Sequence, residues 1–395
     1  MLNLFTDDVR RNPFPIYDHF RTACPVMLEP TSGVWMVFDY AGAKRVLDDP
    51  ETFASDTASA GAHPAPPWLV FTDPPRHTKL RAIISKAFTP RIVEAMEPRI
   101  RELSRELLDR SLGRGEMDLA NEYSIPLPMR VIAEMIGIPD ADWPRYVRWS
   151  EAIFNVSYSV RGMSPGKEAA QSANEEFATA TAEMADYLPH LVEQRLTNPR
   201  DDLLTRLVTA EVDGQRLSPH ELLMFFQLLI VGGQETTTNL INNAVLSLLE
   251  NADQLALLRR SPELIPLAIE ETLRYRSPFQ LGFRGTRRET EIHGQTIPAG
   301  KLVFVMVGSA NRDPKQFRDP NRFDIRRDPN PHLAFGHGIH FCLGAPLSRL
   351  EAKIALGDIL NRLPDLRLAS TEPWQPRPAL HVHGPLNLPV RFGKV

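Results

Sequence analysis

Apolar residues recur about every 3.6 positions over most of residues 90–276, and this periodicity predicts a body built of helices. Strand signals lie toward the two chain ends. Short β-prone runs at 25–28 and 34–38 flank the turn residues of 30–33, which predicts a hairpin. Further β-prone runs lie at 291–297, 302–307, 380–383 and 388–392. The pattern predicts a mainly α fold with a small β subdomain, its sheet assembled from approximately 25–40, 285–308 and 378–393.

The longest predicted helix begins with a capping box, in which Glu221 follows three residues after Ser218. Apolar residues then continue to about Leu249, so the helix would span roughly 50 Å at ~1.5 Å per residue and must cross the core. Gln227 interrupts its apolar run over residues 222–231.

The middle of this helix, GGQETTT at residues 232–238, breaks the apolar pattern. Two adjacent glycines cost about 1 kcal/mol each relative to alanine inside a helix, so some other interaction should offset them. One explanation is a packing site that needs backbone contact, with Glu235 facing solvent. The flanking apolar residues imply burial, however, and an unpaired buried carboxylate is costly. A functional role for Glu235 is therefore favoured.

A second unusual segment, FGHGIHFCLG at residues 335–344, surrounds Cys342 with glycines and histidines and contains no acid. Gly336, Gly338 and Gly344 lack Cβ atoms, so the backbone can curl around the sulfur and approach a flat ligand closely. A helix is predicted from Ala345 to about Leu363. Cys342 would then lie at the positive end of that helix, where a thiolate is stabilised.

Two simpler interpretations compete for this segment. A lone cysteine is often a small buried hydrophobe. A zinc site could use His337, His340 and Cys342, but closed zinc sites usually take four ligands in recurring pairs, and the chain has no C-x-x-C partner. The glycines favour a large planar ligand, so residues alone indicate a candidate metal-thiolate site.

Glu271 and Arg274 share one face of a predicted helix at i,i+3 spacing. Glu270 reaches Arg274 equally well at i,i+4. Most such pairs are surface salt bridges that contribute little to stability, so the spacing alone leaves the role of these residues open.

His77 and Arg81 share a helix face at i,i+4, after the helix-starting sequence Asp-Pro-Pro at 73–75. Two cationic groups on one face suit a ligand with two carboxylates. A solvated basic face is the alternative.

The composition is that of an ordinary globular protein: 395 residues, 43% hydrophobic and 24% charged, with a net charge of -4 that argues against a nucleic-acid partner. Cys24 and Cys342 are the two cysteines, so a disulfide framework is not expected and a reducing cytoplasm is. No apolar stretch reaches the ~20 residues needed to span a bilayer, so we expect a soluble protein without a membrane anchor. Without repeats or linkers, residues 1–395 are expected to form one domain.

The spacing F-x-x-G-x-x-x-C-x-G, carried by Phe335, Gly338, Cys342 and Gly344, resembles the cysteine-ligand loop of the cytochrome P450 family. Three further segments match that family in the same order over nearly the whole chain. The resemblance implies the cytochrome P450 fold, a triangular helical prism around haem b, and the soluble bacterial branch of the family. It implies that Cys342 is the metal ligand and that Phe335, Gly336 and Gly344 bind the cofactor.

Residues 232–238 resemble the family's oxygen-binding groove, [A/G]-G-x-[D/E]-T, in which the helix widens locally over the haem. Many relatives carry alanine where Gly232 stands. The resemblance implies that Gly233 binds the cofactor and that Glu235 and Thr236 are the acid and the alcohol that relay protons to dioxygen.

The resemblance also implies roles for charged residues. Its E-x-x-R motif selects Glu271 and Arg274 as a structural pair that supports the cysteine loop. A third arginine usually joins this pair, and Arg322 and Arg326 are both candidates. The contacts to the haem propionates are expected to be His77, Arg81, Arg284 and His340.

Pocket walls in this family vary, and here they map onto residues 65–70, 153–156, 230–233, 279–281 and 381–383. The candidates for substrate contact are Trp68, Phe154, Val231, Gly232, Phe279 and Val382. These stretches are mostly apolar, which favours a lipophilic substrate. His381 and His383 are interpreted as exposed strand histidines in preference to a polar anchor for substrate.

The implied function is a monooxygenase that hydroxylates or epoxidises a small lipophilic molecule with O2. Electrons must come from a separate ferredoxin-type or flavodoxin-type donor, because the chain has no room for a flavin domain and no cysteines for a cluster. Arg76, Lys79 and Arg349 are candidates for steering an acidic carrier. We expect a monomer.

Two alternative functions stay open. A peroxide-driven or non-oxygenating member of the family would usually lack the pair Glu235 and Thr236. A haem-binding sensor would need no proton relay.

Overall fold

The computed structural model describes residues 6–57, 66–159 and 167–394. Within them the helices are α1 (Asp7–Arg11), α2 (Phe14–Ala23), α3 (Tyr40–Asp48), α4 (Arg76–Ala87), α5 (Pro90–Ala95), α6 (Glu97–Leu112), α7 (Pro126–Ile136), α8 (Trp143–Ser159), α9 (Lys167–Thr197), α10 (Leu203–Thr209), α11 (Pro219–Glu250), α12 (Ala252–Arg260), α13 (Ile265–Tyr275), α14 (Val307–Ala310) and α15 (Ala345–Arg362). The strands are β1 (Val26–Leu28), β2 (Trp35–Val37), β3 (Phe53–Ala54), β4 (Glu116–Asp118), β5 (Gly282–Thr286), β6 (Thr290–Ile292), β7 (Gln295–Ile297), β8 (Leu302–Val305), β9 (Arg367–Leu368) and β10 (Pro389–Arg391). The predicted fold class, mainly α with small sheets, is confirmed.

Helix α11 lies at the centre of the helical body, in contact with α7, α8, α13 and α15. Its predicted capping box is confirmed: the hydroxyl of Ser218 accepts from the N–H of Glu221 at 3.2 Å, and the carboxylate of Glu221 accepts from the N–H of Ser218 at 2.9 Å. This reciprocal pairing satisfies two backbone donors that no helical carbonyl can reach, which fixes where the helix begins.

The five-stranded sheet has the order β1-β2-β8-β5-β3 and joins the two ends of the chain. The predicted hairpin is confirmed, since β1 and β2 pair antiparallel with Val26 opposite Val37. Strand β2 also pairs parallel with β8, with Trp35 opposite Val303. The sheet places β5, which carries Arg284, between β8 and β3, a strand from the N-terminal end of the chain.

The expected third part of that sheet, residues 378–393, does not join it. Strand β10 pairs antiparallel with β4 and β9 in a separate three-stranded sheet. The reason is burial: Val390 belongs to the core of the helical body, with Met117 of β4. Residues 380–383 are not a strand either, and form a single bridge between Val382 and Phe279.

None of the helices in the three described ranges combines the length and the hydropathy that a membrane span requires.

Candidate active site

The cysteine loop is shaped by two glycines in the left-handed region. Gly336 has φ 73° and Gly338 has φ 68°, and a Cβ on Gly338 would lie 2.8 Å from the carbonyl oxygen of Leu47. The N–H of Cys342 donates to the carbonyl of Phe335 at 2.9 Å, which closes the loop. Helix α15 begins three residues after the cysteine, so the predicted position of the sulfur at a helix N-terminus is confirmed.

The surroundings of Cys342 act on the pKa of its thiol in opposite directions. Burial raises the pKa of the thiol, whereas the N–H groups of Gly344 and Ala345 and the positive charges of Arg81 and Arg349 act to lower it. The donors and the charges favour the thiolate, whereas burial favours the neutral thiol. A metal cation bound to the sulfur would add to the stabilisation of the thiolate. The site suits a metal-bound thiolate better than a free thiol.

The zinc alternative finds no support in the described ranges, where no cluster of three or more potential ligands is present. Both candidate histidines have other partners. The ring of His340 hydrogen-bonds to the hydroxyl of Ser55 at 2.8 Å, and the ring of His337 contacts the carboxylate of Asp48.

His77 and Arg81 of α4, Arg284 of β5 and His340 of the cysteine loop come together. The rings of His77 and His340 lie 4.2 Å apart. Burial lowers the pKa of His340 to about 3, and the charges of Arg284 and Arg81 contribute. Burial also lowers the pKa of His77, followed by the charge of Arg81. Both rings are therefore neutral near pH 7, and the positive charge of the cluster comes from Arg81 and Arg284.

This cluster fits the two carboxylates of a haem. His77 is 2% exposed, and within the described part of the chain neither of its ring nitrogens has a hydrogen-bond partner. Asp73 is the acid that acts on the pKa of His77. Its carboxylate, however, is bound by Arg287 at 2.7 Å and by the N–H of Ser55 at 2.9 Å. Buried polar groups in proteins are almost always paired, so an anionic ligand accounts for the ring nitrogen of His77 that carries the proton.

The two glycines of α11 have different roles. A Cβ on Gly233 would lie 2.5 Å from Cδ1 of Ile132 in α7, so this glycine permits close packing of two helices. The packing explanation is thus correct for Gly233. A Cβ on Gly232 would meet no atom within 4 Å, and this residue is exposed although the flanking helix is buried. Gly232 therefore borders open space beside the helix.

Glu235 and Thr236 follow directly on this opening. Glu235 is 7% exposed, so the alternative in which it faces solvent is wrong. Thr236 is half-buried, and its hydroxyl donates to the carbonyl of Gly232 at 2.9 Å. Helix α11 remains continuous through this segment.

The pair Glu271 and Arg274 is fully buried and bidentate, with two bonds of 2.8 Å, so the surface salt bridge is excluded. The third arginine is Arg327, whose Nε donates to Glu271 at 3.0 Å. Both sequence candidates, Arg322 and Arg326, are therefore wrong. A turn in which the N–H of Arg327 bonds to the carbonyl of Asp324 brings this side chain back toward α13. Sequence reasoning missed Arg327, although it adjoins one of the candidates.

Glu270 makes a different connection. Its carboxylate binds Arg349 of α15 through bonds of 2.7 and 2.9 Å and the ring of His332 at 3.1 Å. Arg349 also lies over the ring of Phe335, 4.5 Å from its centroid. Arg349 is thus held against the cysteine loop. Of the three candidates for steering a redox partner, it is the least able to turn toward that partner.

Among the expected pocket residues, Trp68 is buried and its indole N–H donates to the amide oxygen of Gln227 at 3.1 Å. The amide nitrogen of Gln227 donates in turn to Thr181 at 2.9 Å. This chain joins α9 and α11 to the segment before α4, and it explains the polar residue in an apolar run. Val231 is half-buried.

Other expected pocket residues lie on a ribbon in which Phe279 pairs with Val382. Phe154 of α8 is half-buried. The first residue of the expected walls, Ala65, lies outside the described residues. The interpretation of His383 as exposed is wrong: it is buried, its ring bonds to the carbonyl of Arg11 at 3.2 Å, and burial lowers its pKa to about 3. His381 is half-buried, and burial lowers its pKa to about 4.

Known proteins resemble this chain over nearly its whole length. The cytochrome P450 family model matches residues 26–378. Cytochrome P450 107B1 of Saccharopolyspora erythraea is 44% identical over 376 residues, which cover 91% of this chain and 89% of that protein. Cytochrome P450 monooxygenase PikC of Streptomyces venezuelae is 39% identical over 410 residues, covering 99% and 94%.

A solved structure gives the same result at the level of the fold. The crystal structure of CYP109E1 from Bacillus megaterium in complex with testosterone superimposes with a TM-score of 0.88 at 37% identity, covering 97% of this chain and 99% of that one. With a glycine-bounded cysteine at the start of α15, an electropositive cluster that suits propionates and sequence similarity along nearly its whole length, this chain belongs to the cytochrome P450 family of haem-thiolate monooxygenases.

Proposed function

We propose that this chain inserts one atom of O2 into a C–H or C=C bond of a small lipophilic molecule, by hydroxylation or epoxidation. The observation that carries the proposal is the placement of an acid and an alcohol in the middle of α11. Glu235 is buried and Thr236 half-buried, and both follow Gly232 at the opening beside the helix. An oxygenase needs protons at this point, whereas a sensor does not.

Haem b is the proposed cofactor, because it suits the chemistry of the cysteine loop and of the cluster. Cys342 would ligate the iron, and the electropositive cluster of His77, Arg81, Arg284 and His340 would hold the two propionates. When bound, haem supplies the activation of O2, and a cysteine thiolate ligand donates electron density that favours O–O cleavage.

The roles of the acid and the alcohol follow from their hydrogen-bonding capacity. The hydroxyl of Thr236 donates a hydrogen bond to the carbonyl of Gly232, so its oxygen can still accept a hydrogen bond from a water or a reacting group. When the hydroxyl turns away from that carbonyl, it can donate instead. Glu235, the preceding residue, can hold an exchangeable proton, give it up, and then be protonated again.

The apolar side chains at the expected pocket positions support a lipophilic substrate. Val231, Phe279 and Val382 are the proposed contacts, and the pairing of the last two across a bridge fixes their positions. The indole N–H of Trp68 is engaged by Gln227, so this residue would offer its apolar ring surface. CYP109E1, whose structure holds testosterone, is a relative that takes a ligand of this class.

The electron donor is proposed to be a ferredoxin-type or flavodoxin-type protein that docks on the face of the cysteine loop. Ile339 and Phe341 are 37% and 43% exposed on this loop, beside Cys342. Large apolar side chains at the surface are typical of the centre of a protein interface. Lys79 is exposed and is the preferred steering charge, because Arg76 lies 3.5 Å from Glu221 and Arg349 is bound to Glu270.

The test compares turnover with a reductase, a ferredoxin and O2 against turnover with hydrogen peroxide alone, on a lipophilic compound that changes the spin state of the ferric enzyme. We expect product only with reductant and O2, with label from 18O2 in the product. Product formed equally well from peroxide would contradict the proposal and favour a peroxygenase.

The acid and alcohol are tested with matched threonine variants. Thr236→Ala is expected to consume reductant and release hydrogen peroxide in place of product. Thr237→Ala is the control, because the hydroxyl of Thr237 bonds to Ser348 of α15 at 3.1 Å and not to Gly232. Equal coupling of reductant to product in both variants would contradict the role of Thr236.

A further inference from the structure

A stripe of buried polar side chains runs along the C-terminal half of α11. Asn239 and Asn242 follow Glu235 by four and seven residues, a spacing that puts all three on one face of the helix. Glu250 lies fifteen residues beyond Glu235, near the same face, at the end of the helix. At ~1.5 Å per residue the stripe is about 22 Å long. It runs from the proposed proton donor toward the surface, with Leu246 on the same face between Asn242 and Glu250.

The two asparagines in this stripe make no hydrogen bonds to protein. Both are fully buried, and among residues 6–57, 66–159 and 167–394 neither their amide oxygens nor their amide nitrogens have a partner. Leaving such a group unpaired in the interior destabilises the folded protein. Buried polar groups without a protein partner are typically bonded to ordered water. Four such atoms on one helix face indicate a row of water sites.

A ribbon of chain covers the stripe. The amide nitrogen of Asn243 donates to the carbonyls of His383 and Arg276, at 2.8 and 2.9 Å, which holds the ribbon against α11. Gly384 lies directly over Asn239, because a Cβ there would be 2.4 Å from the amide oxygen. A larger residue at this position would displace the amide.

The outer end of the stripe is a partly exposed ion pair. Arg276 donates to the carboxylate of Glu250 at 2.8 Å, and the Glu250 side chain is 38% exposed. Nε and Nη1 of Arg276 have no partner in the part of the chain that the structure describes. They can donate to further waters, while Glu250 offsets the charge of the guanidinium. The stripe therefore opens to solvent at this pair.

We propose that waters held by Asn239 and Asn242 form a proton path from solvent at Glu250 to Glu235. The inference rests on the proposed function, in which Glu235 supplies protons. After Glu235 gives up a proton, the water beside Asn239 passes one to the carboxylate and accepts one from the next water. One proton enters at the surface for each that leaves Glu235, and no electron moves. Asn239 and Asn242 are positioning residues, since their amides orient water and do not titrate.

The test uses variants that keep shape and remove polarity, Asn239→Leu and Asn242→Leu, in the haem-loaded enzyme. Thr238→Val is the matched control, because the hydroxyl of Thr238 bonds to the carbonyl of Ser124 at 2.9 Å and not to the stripe. Three quantities are measured: ordered waters in a crystal structure of the wild type, the fraction of reductant converted to product, and the solvent isotope effect on turnover.

We expect waters within hydrogen-bond reach of both amides in the wild type. Each leucine variant should lose most of its coupling and show a larger solvent isotope effect, with unchanged haem content, while Thr238→Val behaves as the wild type. The proposal is overturned if the crystal structure shows no ordered water at the amides of Asn239 and Asn242. It is also overturned if both leucine variants have the coupling and the solvent isotope effect of the wild type.

Different outcomes overturn the proton path and the proposed function. Uncoupling in Glu235→Gln together with wild-type behaviour of both leucine variants overturns the path alone. Wild-type coupling in both Glu235→Gln and Thr236→Ala overturns the proton-supplying role of the acid and the alcohol, and the path with it.

Discussion

The carboxylate of Glu271 and the guanidinium of Arg274 are joined by two hydrogen bonds of 2.8 Å, and both side chains are fully buried. Arg327 approaches the same carboxylate at 3.0 Å. Glu271→Gln keeps the shape but leaves two guanidinium groups without their counter-charge. We expect it to lower the free energy of unfolding by about 3–5 kcal/mol, measured by urea denaturation.

Glu270→Gln is the matched control, because it makes the same change on the adjacent residue of the same helix. The Glu270 side chain is 26% exposed and its partner Arg349 is 38% exposed, so solvent screens the pair. The expected loss is about 1 kcal/mol or less. Equal losses in the two variants would show that burial does not distinguish the pairs.

His77→Phe should change haem binding and apoprotein stability in opposite directions. The phenyl ring replaces an imidazole whose two nitrogens have no partner within the described residues, so the apoprotein should unfold at a higher temperature. Haem should be lost faster, by roughly tenfold or more, since a hydrogen bond to a charged group contributes about 1.5–3 kcal/mol. Haem transfer to an acceptor apoprotein measures the rate.

His190→Phe, at an exposed position of α9, controls for the loss of an imidazole. It should change neither quantity. Haem loss at the wild-type rate from His77→Phe would contradict the placement of a propionate at this residue.

Lys79→Glu should slow reduction by an acidic ferredoxin at low ionic strength, by roughly a few-fold, because rim charges act mainly on the rate of association. Substrate binding should stay unchanged. Stopped-flow reduction measures the effect, and Lys301→Glu, in the exposed turn before β8, is the control. If both variants are reduced at the same rate, the docking face lies elsewhere.

Glu351 of α15 gives a prediction for pH. It is fully buried, neither oxygen has a partner in the described ranges, and burial raises its pKa well above the ordinary value. The folded protein therefore holds this proton at pH values where the unfolded chain releases it. Stability that is present in acid is lost as pH rises above the ordinary carboxyl range, by ~1.4 kcal/mol for each unit of pKa shift.

Glu351→Gln removes this loss. Its free energy of unfolding should exceed that of the wild type by a margin that grows as pH rises from about 5 toward 8, measured by urea titration across that range. Glu263→Gln, at an exposed position, should show no such growth. A margin independent of pH would mean that Glu351 ionises in the folded protein as it does in the unfolded chain.

The features that the sequence predicts well are local ones. The capping box of α11 depends on residues three apart, and the position of Cys342 before α15 depends on the glycines and the helix start that adjoin it. Both follow from short-range rules that hold in any fold. The family motifs add a resemblance over the whole chain, which is why the cofactor could be anticipated.

The features that it misses depend on distant contacts. Arg327 was missed because a turn at Asp324, and not the spacing of the arginines, decides which one reaches Glu271. His383 is buried by contact with Arg11, 372 residues away in sequence. Strand β10 joins β4 because its apolar residue Val390 belongs to the helical core. Periodicity within one segment carries no information on these pairings.

The absorption spectrum of the reduced carbon monoxide complex tests the assignment of Cys342 as the haem ligand most directly. The wild-type enzyme should show the long-wavelength Soret band of a thiolate-ligated haem, and Cys342→His should lose this band while still binding haem. A wild-type spectrum without the band, or its survival in Cys342→His, would contradict the account.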